Sequence, residues 1–162
     1  MTGHLDATLR ALAFLSRLPP VGRAFHGEHR LGDDAHAFPV AGLLVALPGA
    51  ALLALAQALG LSAPVAAILS LALTIGLTGA LHEDGLADTA DGLFGHHPRE
   101  RALAIMKDSR IGVYGTLALI LVLGAKVALL AELLTHGTGA AILALLAAAA
   151  ASRGAMAHLW SS

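Results

Sequence analysis

The sequence contains no cysteine, and only 13% of its 162 residues carry a charged side chain. Without cysteine, neither a disulfide framework nor thiolate metal or redox chemistry is available. An average soluble domain has roughly a quarter of its residues charged, so this chain has too little polar surface to coat a water-soluble globule. The net charge is -1 and aromatic residues make up 4%. With no Lys/Arg run and no aromatic stacking platform, nucleic-acid binding is excluded.

The first apolar stretch, residues 5–18, does not have the pattern of a secretory signal peptide, because Asp6, Arg10 and Arg17 interrupt it. Five of its residues recur at helical spacing instead: Leu5, Leu9, Leu12, Ala13 and Ser16. This spacing predicts a short amphipathic helix. Two placements fit it equally well, on the membrane surface or against the protein's own spans.

Hydrophobic residues make up 57% of the chain, and most of them fall in four stretches, 40–61, 65–81, 111–134 and 140–159. Each is long enough, or nearly so, to cross a hydrocarbon core of roughly 30 Å as a helix. The stretches lack the two-residue alternation of a membrane β-barrel. Their many Ala and Gly residues favour close helix packing. The sequence therefore predicts an all-α fold, with residues 1–162 forming one polytopic transmembrane helical bundle of four spans plus the N-terminal amphipathic helix.

The basic residues outside the spans predict an orientation. Four precede the first span and four lie between the second and third: Arg10, Arg17, Arg23, Arg30, Arg99, Arg101, Lys107 and Arg110. The turns near Ser62 and His136 carry no Lys or Arg. By the positive-inside rule, the N-terminus and the segment 82–110 are expected to be cytoplasmic.

Three aspartates follow the second apolar stretch at spacing i, i+4 and i+7: Asp84, Asp88 and Asp91. On a helix this spacing places them within roughly 60° of one another. Like charges so arranged repel, and a divalent cation with a preference for oxygen ligands, such as Mg²⁺, would relieve that repulsion. The alternative is an acidic, solvated face. Ionisable groups at the edge of a membrane bundle are functional candidates by default, so we favour the metal site over the solvated face.

A second charged group, Lys107, Asp108 and Arg110, precedes the third stretch. Asp108 could supply a further metal ligand or a base, and the two cations could neutralise phosphate oxygens. The alternative is a basic flank that anchors the third span. Carboxylates for a metal beside cations for phosphates indicate phosphoryl transfer, in which positioning and charge neutralisation supply most of the catalysis.

Three single residues are weaker candidates. His82 could act as a general base, although a histidine in such a place more often caps a helix or packs. Lys126 falls within the third stretch and is expected to face the bundle interior or a polar cavity. Arg153 could reach a diphosphate or extend to lipid headgroups.

Two motifs carry a family resemblance: residues 78–92, TGALHEDGLADTADG, and residues 105–115, IMKDSRIGVYG. Together with residues 14–19, FLSRLP, and 38–42, FPVAG, they resemble the adenosylcobinamide-GDP ribazoletransferases, the cobalamin synthase family of bacteria and archaea. The resemblance covers essentially the whole chain, in the family's order. Members of that family are usually longer, with further spans and a further motif toward the C-terminus, so the chain is expected to be a C-terminally truncated gene product, a fragment or an unusually short member.

The resemblance implies a magnesium-dependent enzyme of the bacterial cytoplasmic membrane. Such an enzyme joins adenosylcobinamide-GDP to α-ribazole or its 5′-phosphate, releases GMP and forms adenosylcobalamin or its phosphate. Its partners are these small molecules and the lipid bilayer, with a second copy of the chain or other cobalamin-assembly enzymes as further candidates.

The resemblance also implies roles for individual residues. Asp84, Asp88 and Asp91 would hold Mg²⁺ against the diphosphate, and Asp108 would complete the acidic site. The cations implied to contact phosphates are Lys107, Arg110 and Arg17. Either Asp91 or His82 would accept the proton of the attacking ribose hydroxyl.

Two other functions remain as alternatives. A CDP-alcohol phosphotransferase also uses an Asp-rich signature, but that signature begins Asp-Gly-x-x-Ala-Arg, and here Asp84-Gly85-Leu86-Ala87 continues with Asp88. A membrane cation transporter subunit would have its acidic residues on successive spans near mid-membrane. In this sequence the acidic and basic residues concentrate in the segment 82–110 instead.

Overall fold

A computed structural model describes residues 2–25 and 30–161. Within these ranges, seven α-helices and two short 3₁₀ segments account for the regular structure. The helices are α1 (Thr2–Leu15), α2 (Phe38–Ala58), α3 (Ala63–Thr78), α4 (Leu81–Phe94), α5 (Arg99–Ile105), α6 (Val113–Thr135) and α7 (Thr138–Ser161). The 3₁₀ segments, Gly22–Phe25 and Leu31–Ala37, lie between α1 and α2. The prediction of an all-α fold is confirmed.

Three helices, α2, α6 and α7, are long and apolar enough to cross a membrane. The second predicted span, 65–81, corresponds to α3 and the bend that follows it. Helix α3 has only 16 residues and is about 24 Å long at 1.5 Å per residue. It is followed by α4 after an 88° bend, and the bent pair brings the number of spans to four if it is counted as one broken span. The chain is a multi-pass helical membrane protein.

Helix α2 occupies the centre of the bundle, packed against α7, α3 and α1, while α6 packs against α3, α4 and α7. Small residues allow the close approach that the composition predicts. A Cβ at Gly49 would collide with Thr74 Oγ1 and lie 3.0 Å from the Ser70 carbonyl oxygen. Ser70 Oγ donates a 2.8 Å hydrogen bond to the Gly49 carbonyl, which satisfies a buried hydroxyl in apolar surroundings.

Helix α1 forms as predicted, but its most buried face is not the leucine face. Ala7, Ala11 and Leu15 are fully buried in a cluster that includes Phe38 at the start of α2. In contrast, Leu5 is 52% exposed. Helix α1 therefore packs against the protein's own helices through the face that carries Ala7, Ala11 and Leu15.

A buried ion pair attaches α1 to the second 3₁₀ segment. Arg10 Nε and Nη2 each donate to one oxygen of Asp34 at 2.7 Å, and Arg10 Nη1 donates to the Ala24 carbonyl at 2.8 Å. The side chains are only 12% and 4% exposed. Bidentate geometry of this kind fixes orientation as well as distance.

The bend between α3 and α4 is made by two consecutive residues with positive φ, Gly79 at 66° and Ala80 at 61°. The left-handed conformation ends α3 and redirects the chain. The Arg17 amide donates a 2.7 Å hydrogen bond to the Leu77 carbonyl, and a Cβ at Gly79 would collide with Arg17 Nε. The segment after α1 therefore packs directly on this bend.

Candidate active site

Helix α4 carries all three predicted metal-binding aspartates. It presents Ala87, Ala90 and Gly92 to the protein interior and packs against α6 and α5. Asp84 is exposed, whereas Asp88 and Asp91 are half-buried. The predicted placement on one helix is therefore observed, but the three carboxylates have different surroundings.

Asp91 is held by the first turn of α6. Its Oδ2 accepts a 2.7 Å hydrogen bond from the Gly112 amide, and its Oδ1 accepts a 2.8 Å bond from the Gly115 amide. The first amides of a helix lack intrahelical acceptors, and a carboxylate there also interacts favourably with the helix dipole. A Cβ at Gly115 would collide with Asp91 Oδ2 and lie 2.9 Å from the Ala87 carbonyl, so glycine permits this approach.

A cavity of about 420 Å³ lies between α4 and the chain that connects α5 to α6. We call it the acidic cavity. It brings together five residues predicted for the site, namely Asp84, Asp88, Lys107, Asp108 and Arg110, and Glu83 also lines it. Residues from two motifs far apart in sequence thus share one cavity.

Asp108 and Arg110 form an exposed ion pair at the rim. Arg110 Nη2 and Nε donate to the Asp108 carboxylate at 2.6 and 3.0 Å, and the Arg110 amide donates to Oδ1 at 3.1 Å. These hydrogen bonds, the side-chain ones first, lower the pKa of Asp108 to about 2 and raise the pKa of Arg110. The Arg110 side chain is 86% exposed. An exposed pair of this kind is weak enough to exchange for a stronger anion.

The carboxylates of the acidic cavity fit Mg²⁺ as part of a ligand set that phosphate and water complete. In the described part of the chain, no three His, Asp or Glu side chains are grouped closely enough to hold a metal ion by themselves. Both oxygens of Asp91 accept backbone hydrogen bonds, while Asp84 and Asp88 line the cavity. Mg²⁺ is commonly bound by one or two carboxylates together with substrate phosphates and water. The residues present suit that arrangement, and a site made of all three aspartates stays a prediction.

A second, largely aliphatic cavity of about 530 Å³ lies among α2, α3, α6 and α7. We call it the apolar cavity. Four ionisable side chains line it, His82, Glu83, Lys126 and Arg153. Lys126 Nζ lies 3.7 Å from Glu83 Oε1, and the Lys126 side chain, which is 49% exposed, lines this cavity.

The structure thus separates the predicted phosphate-binding and proton-accepting residues. His82 and Arg153 line the apolar cavity, Lys107 and Arg110 line the acidic cavity, and Arg17 packs on the bend at Gly79. The roles predicted for them stay predictions.

Glu83 lines both cavities, and no role was predicted for it from the sequence. A signal for it was present. A lysine inside an apolar span needs a partner, and Glu83 stands at the junction between a span and the acidic segment.

The fold and the two cavities define a class, a multi-pass helical membrane protein with a charged site at the junction of α4 and α6. Residues 7–162 match the Cobalamin-5-phosphate synthase family, and the chain belongs to that family. This membership counts against the CDP-alcohol phosphotransferase and transporter alternatives.

Curated relatives carry the name adenosylcobinamide-GDP ribazoletransferase. The chain is 52% identical to that of Sinorhizobium medicae (strain WSM419) over 159 residues, which is 96% of this chain and 60% of the relative. It is 54% identical to that of Rhizobium etli (strain CIAT 652) over 94% of this chain and 60% of the relative. For Brucella canis the values are 44%, 98% and 62%. The chain therefore spans about 60% of the length of these relatives. No solved structure matches the chain.

Proposed function

We propose that this chain carries the catalytic carboxylates and phosphate-binding cations of an adenosylcobinamide-GDP ribazoletransferase. The reaction joins adenosylcobinamide phosphate, taken from adenosylcobinamide-GDP, to α-ribazole or α-ribazole 5′-phosphate and releases GMP. One observation carries the proposal. The two charged motifs, separated in sequence by α5, line a single cavity with four carboxylates and two cations.

The diphosphate of the donor lies in the acidic cavity in this proposal. Lys107 and Arg110 contact its oxygens, and Arg110 exchanges its exposed partner Asp108 for the phosphate. Mg²⁺, held by Asp84 and Asp88 when bound, supplies further charge neutralisation. Asp91 positions the site, because it joins α4 to the start of α6.

In the reaction, a ribose hydroxyl of the acceptor attacks the phosphorus next to the cobinamide. A new P–O bond forms, and the P–O bond to the GMP phosphate breaks with its electron pair leaving on GMP. The cations stabilise the charge that develops on the phosphate oxygens, which is usually the largest catalytic contribution in this chemistry. We place this side of the membrane in the cytoplasm, since the basic residues flank it.

The test uses the chain reconstituted in liposomes with adenosylcobinamide-GDP, α-ribazole 5′-phosphate and Mg²⁺. We expect cobalamin 5′-phosphate and GMP in equal amounts, measured by liquid chromatography and mass spectrometry. Asp84→Asn and Asp88→Asn should each lower turnover by about 100-fold and raise the Mg²⁺ concentration that gives half-maximal rate. Because the chain spans about 60% of its relatives, a full-length relative carrying the matching substitutions is assayed in parallel.

The matched control is Asp33→Asn, which removes an exposed aspartate of the second 3₁₀ segment outside both cavities. It should leave turnover and the Mg²⁺ requirement unchanged. Wild-type turnover in both α4 variants would contradict the assignment of the acidic cavity. Cation flux through the liposomes without GMP formation would favour the transporter alternative.

A further inference from the structure

Three side chains beside the apolar cavity each have one buried polar atom without a hydrogen-bond partner among the described residues: His82 Nε2, Glu83 Oε2 and Arg153 Nε. All three belong to side chains that line this one cavity. Buried polar groups are nearly always satisfied in folded proteins, because an unmade hydrogen bond is costly. The polar end of this cavity therefore suits a ligand that carries hydrogen-bonding groups.

The chemistry of the lining restricts that ligand. Most of the surface is aliphatic, with side chains such as Leu71, Leu130 and Leu133, while Lys126 and Arg153 bring two positive charges against one from Glu83. A ligand with an apolar body and an anionic group matches both properties. The volume of about 530 Å³ lies within the range of small-molecule sites, roughly 300–1,000 Å³.

Glu83 connects this cavity to the acidic cavity, since it lines both. Its Oε1 is paired with Lys126 at 3.7 Å, and its Oε2 is one of the three unpartnered atoms. A molecule in the apolar cavity would therefore meet the donor diphosphate at this carboxylate.

We propose that the apolar cavity binds the acceptor nucleoside, α-ribazole or its 5′-phosphate, and that Glu83 accepts the proton of its attacking hydroxyl. This inference rests on the proposed function. The aromatic base lies among the aliphatic side chains, and the 5′-phosphate, where present, interacts with Arg153 and Lys126. The hydroxyl oxygen forms the new P–O bond, its proton passes to the Glu83 carboxylate, and the electron pair of the broken bond leaves with GMP. Asp91, with both oxygens engaged by backbone amides, is not needed as the base.

The binding part is tested without turnover, by measuring the affinity of the full chain in detergent for radiolabelled α-ribazole 5′-phosphate. Ala148 lines the cavity, whereas its neighbour Ala147, also exposed, does not. Ala148→Trp should weaken binding at least tenfold, and Ala147→Trp should change it less than twofold. Ala148→Leu, a smaller obstruction, should give an intermediate loss if the Trp variant does not fold.

The charge of the cavity gives a second binding test. Lys126→Met should weaken binding of α-ribazole 5′-phosphate more than binding of α-ribazole, because only the former carries the phosphate. Equal losses for both ligands, or equal effects of the Ala148 and Ala147 substitutions, would overturn the assignment of the cavity.

The catalytic part is tested with Glu83→Gln, which keeps the size of the side chain. Turnover should fall by about 100- to 1,000-fold, the usual contribution of a general base, while affinity for α-ribazole 5′-phosphate changes only a few-fold. Glu83→Asp should recover part of the rate. A Gln variant with wild-type turnover would overturn this role.

These outcomes separate the inference from the proposed function. Unchanged product formation in Ala148→Trp and Glu83→Gln, or a wild-type chain that forms product without binding the acceptor at this cavity, defeats the inference alone. If the wild-type chain and the full-length relative release no GMP from adenosylcobinamide-GDP under any condition, the proposed function fails and the inference fails with it.

Discussion

The carboxylate of Asp91 and the amide of Gly112 lie 2.7 Å apart, and this contact joins the two charged motifs of the chain. Asp91 belongs to the Asp-rich helix α4, and Gly112 precedes α6. The second amide, of Gly115, completes a two-point attachment at 2.8 Å. The acidic cavity lies beside this attachment, so its shape depends on it.

Replacing Asp91 should therefore destabilise the fold more than replacing Asp84 or Asp88. Asp91→Ala leaves two backbone amides without their acceptor and should cost about 2 kcal/mol, and Asp91→Asn should cost about half of that. Thermal unfolding in detergent, followed by circular dichroism, measures the change. The control Asp84→Ala alters an exposed side chain and should stay within about 0.5 kcal/mol of wild type.

Asp91→Asn also distinguishes a positioning role of Asp91 from metal binding by its carboxylate. If Asp91 positions the site, Asp91→Asn should lower turnover without raising the Mg²⁺ concentration for half-maximal rate. Asp84→Asn should raise that concentration. A matching rise in both variants would show that Asp91 binds the metal.

The ion pair between Arg10 and Asp34 should dominate the attachment of α1. Both side chains are nearly buried, and removing one partner leaves the other charge without compensation. Asp34→Asn or Arg10→Met should therefore destabilise by about 3 kcal/mol. Hydrogen exchange of the α1 amides should accelerate in either variant.

A double variant provides the control for that pair. Arg10→Met with Asp34→Leu removes both charges together and should recover much of the lost stability. Additive losses in the double variant would contradict a coupled pair.

Substitutions at Gly79 and Ala80, the two residues of the bend, should have different effects on stability. Gly79→Ala places a side chain at positive φ and against Arg17, so it should cost about 1–2 kcal/mol. Ala80→Gly removes an existing positive-φ side chain and should be neutral or stabilising. Gly76→Ala is the matched control, since a Cβ there meets no atom within 4 Å. Unfolding midpoints in detergent measure all three, and equal losses for Gly79→Ala and Gly76→Ala would refute the conformational argument.

Asp108 should titrate well below an ordinary aspartate. Its pKa is about 2, against the ordinary 3.8, because Arg110 donates hydrogen bonds to the carboxylate. The folded-state pKa is lowered, so the stabilising contribution of the pair is complete above about pH 4 and is lost as the pH falls through about 2. Arg110→Gln should raise the pKa toward 3.8.

Carbon-13 resonances of the labelled aspartate carboxyls, titrated in detergent, measure that pKa directly. An Asp108 pKa near 3.8 in wild type, or one unmoved by Arg110→Gln, would contradict the ion pair.

Local pattern predicted the elements of the site well. The helical spacing of Asp84 and Asp88 placed both on α4, and the charged motif before the third span supplied Lys107, Asp108 and Arg110, which line the acidic cavity with them. These predictions depend on residues close in sequence, where periodicity and composition are informative.

Long-range packing decided the features that the sequence did not reveal. Asp91 lies about 20° from Asp84 around an ideal helix and about two turns along it, and the approach of α6 through Gly115 gives Asp91 its own surroundings. Likewise, the apolar run 65–81 gave no indication of a bend, because two consecutive left-handed residues at Gly79 and Ala80 leave no hydrophobic signature. In α1, the small residues Ala7 and Ala11 pack more closely than the leucines that dominate the pattern.

The bend also places the two cavities at different levels along α6. After it, α4 runs beside α6 in the opposite direction, since Glu83 meets Lys126 near the middle of α6 and Asp91 meets Gly112 before its first turn. The acidic cavity thus lies beside the start of α6, and the apolar cavity lies beside its second half. On the proposed assignment, the donor diphosphate and the aromatic base of the acceptor occupy neighbouring levels of the bundle, and the transfer takes place at Glu83, where those two levels meet.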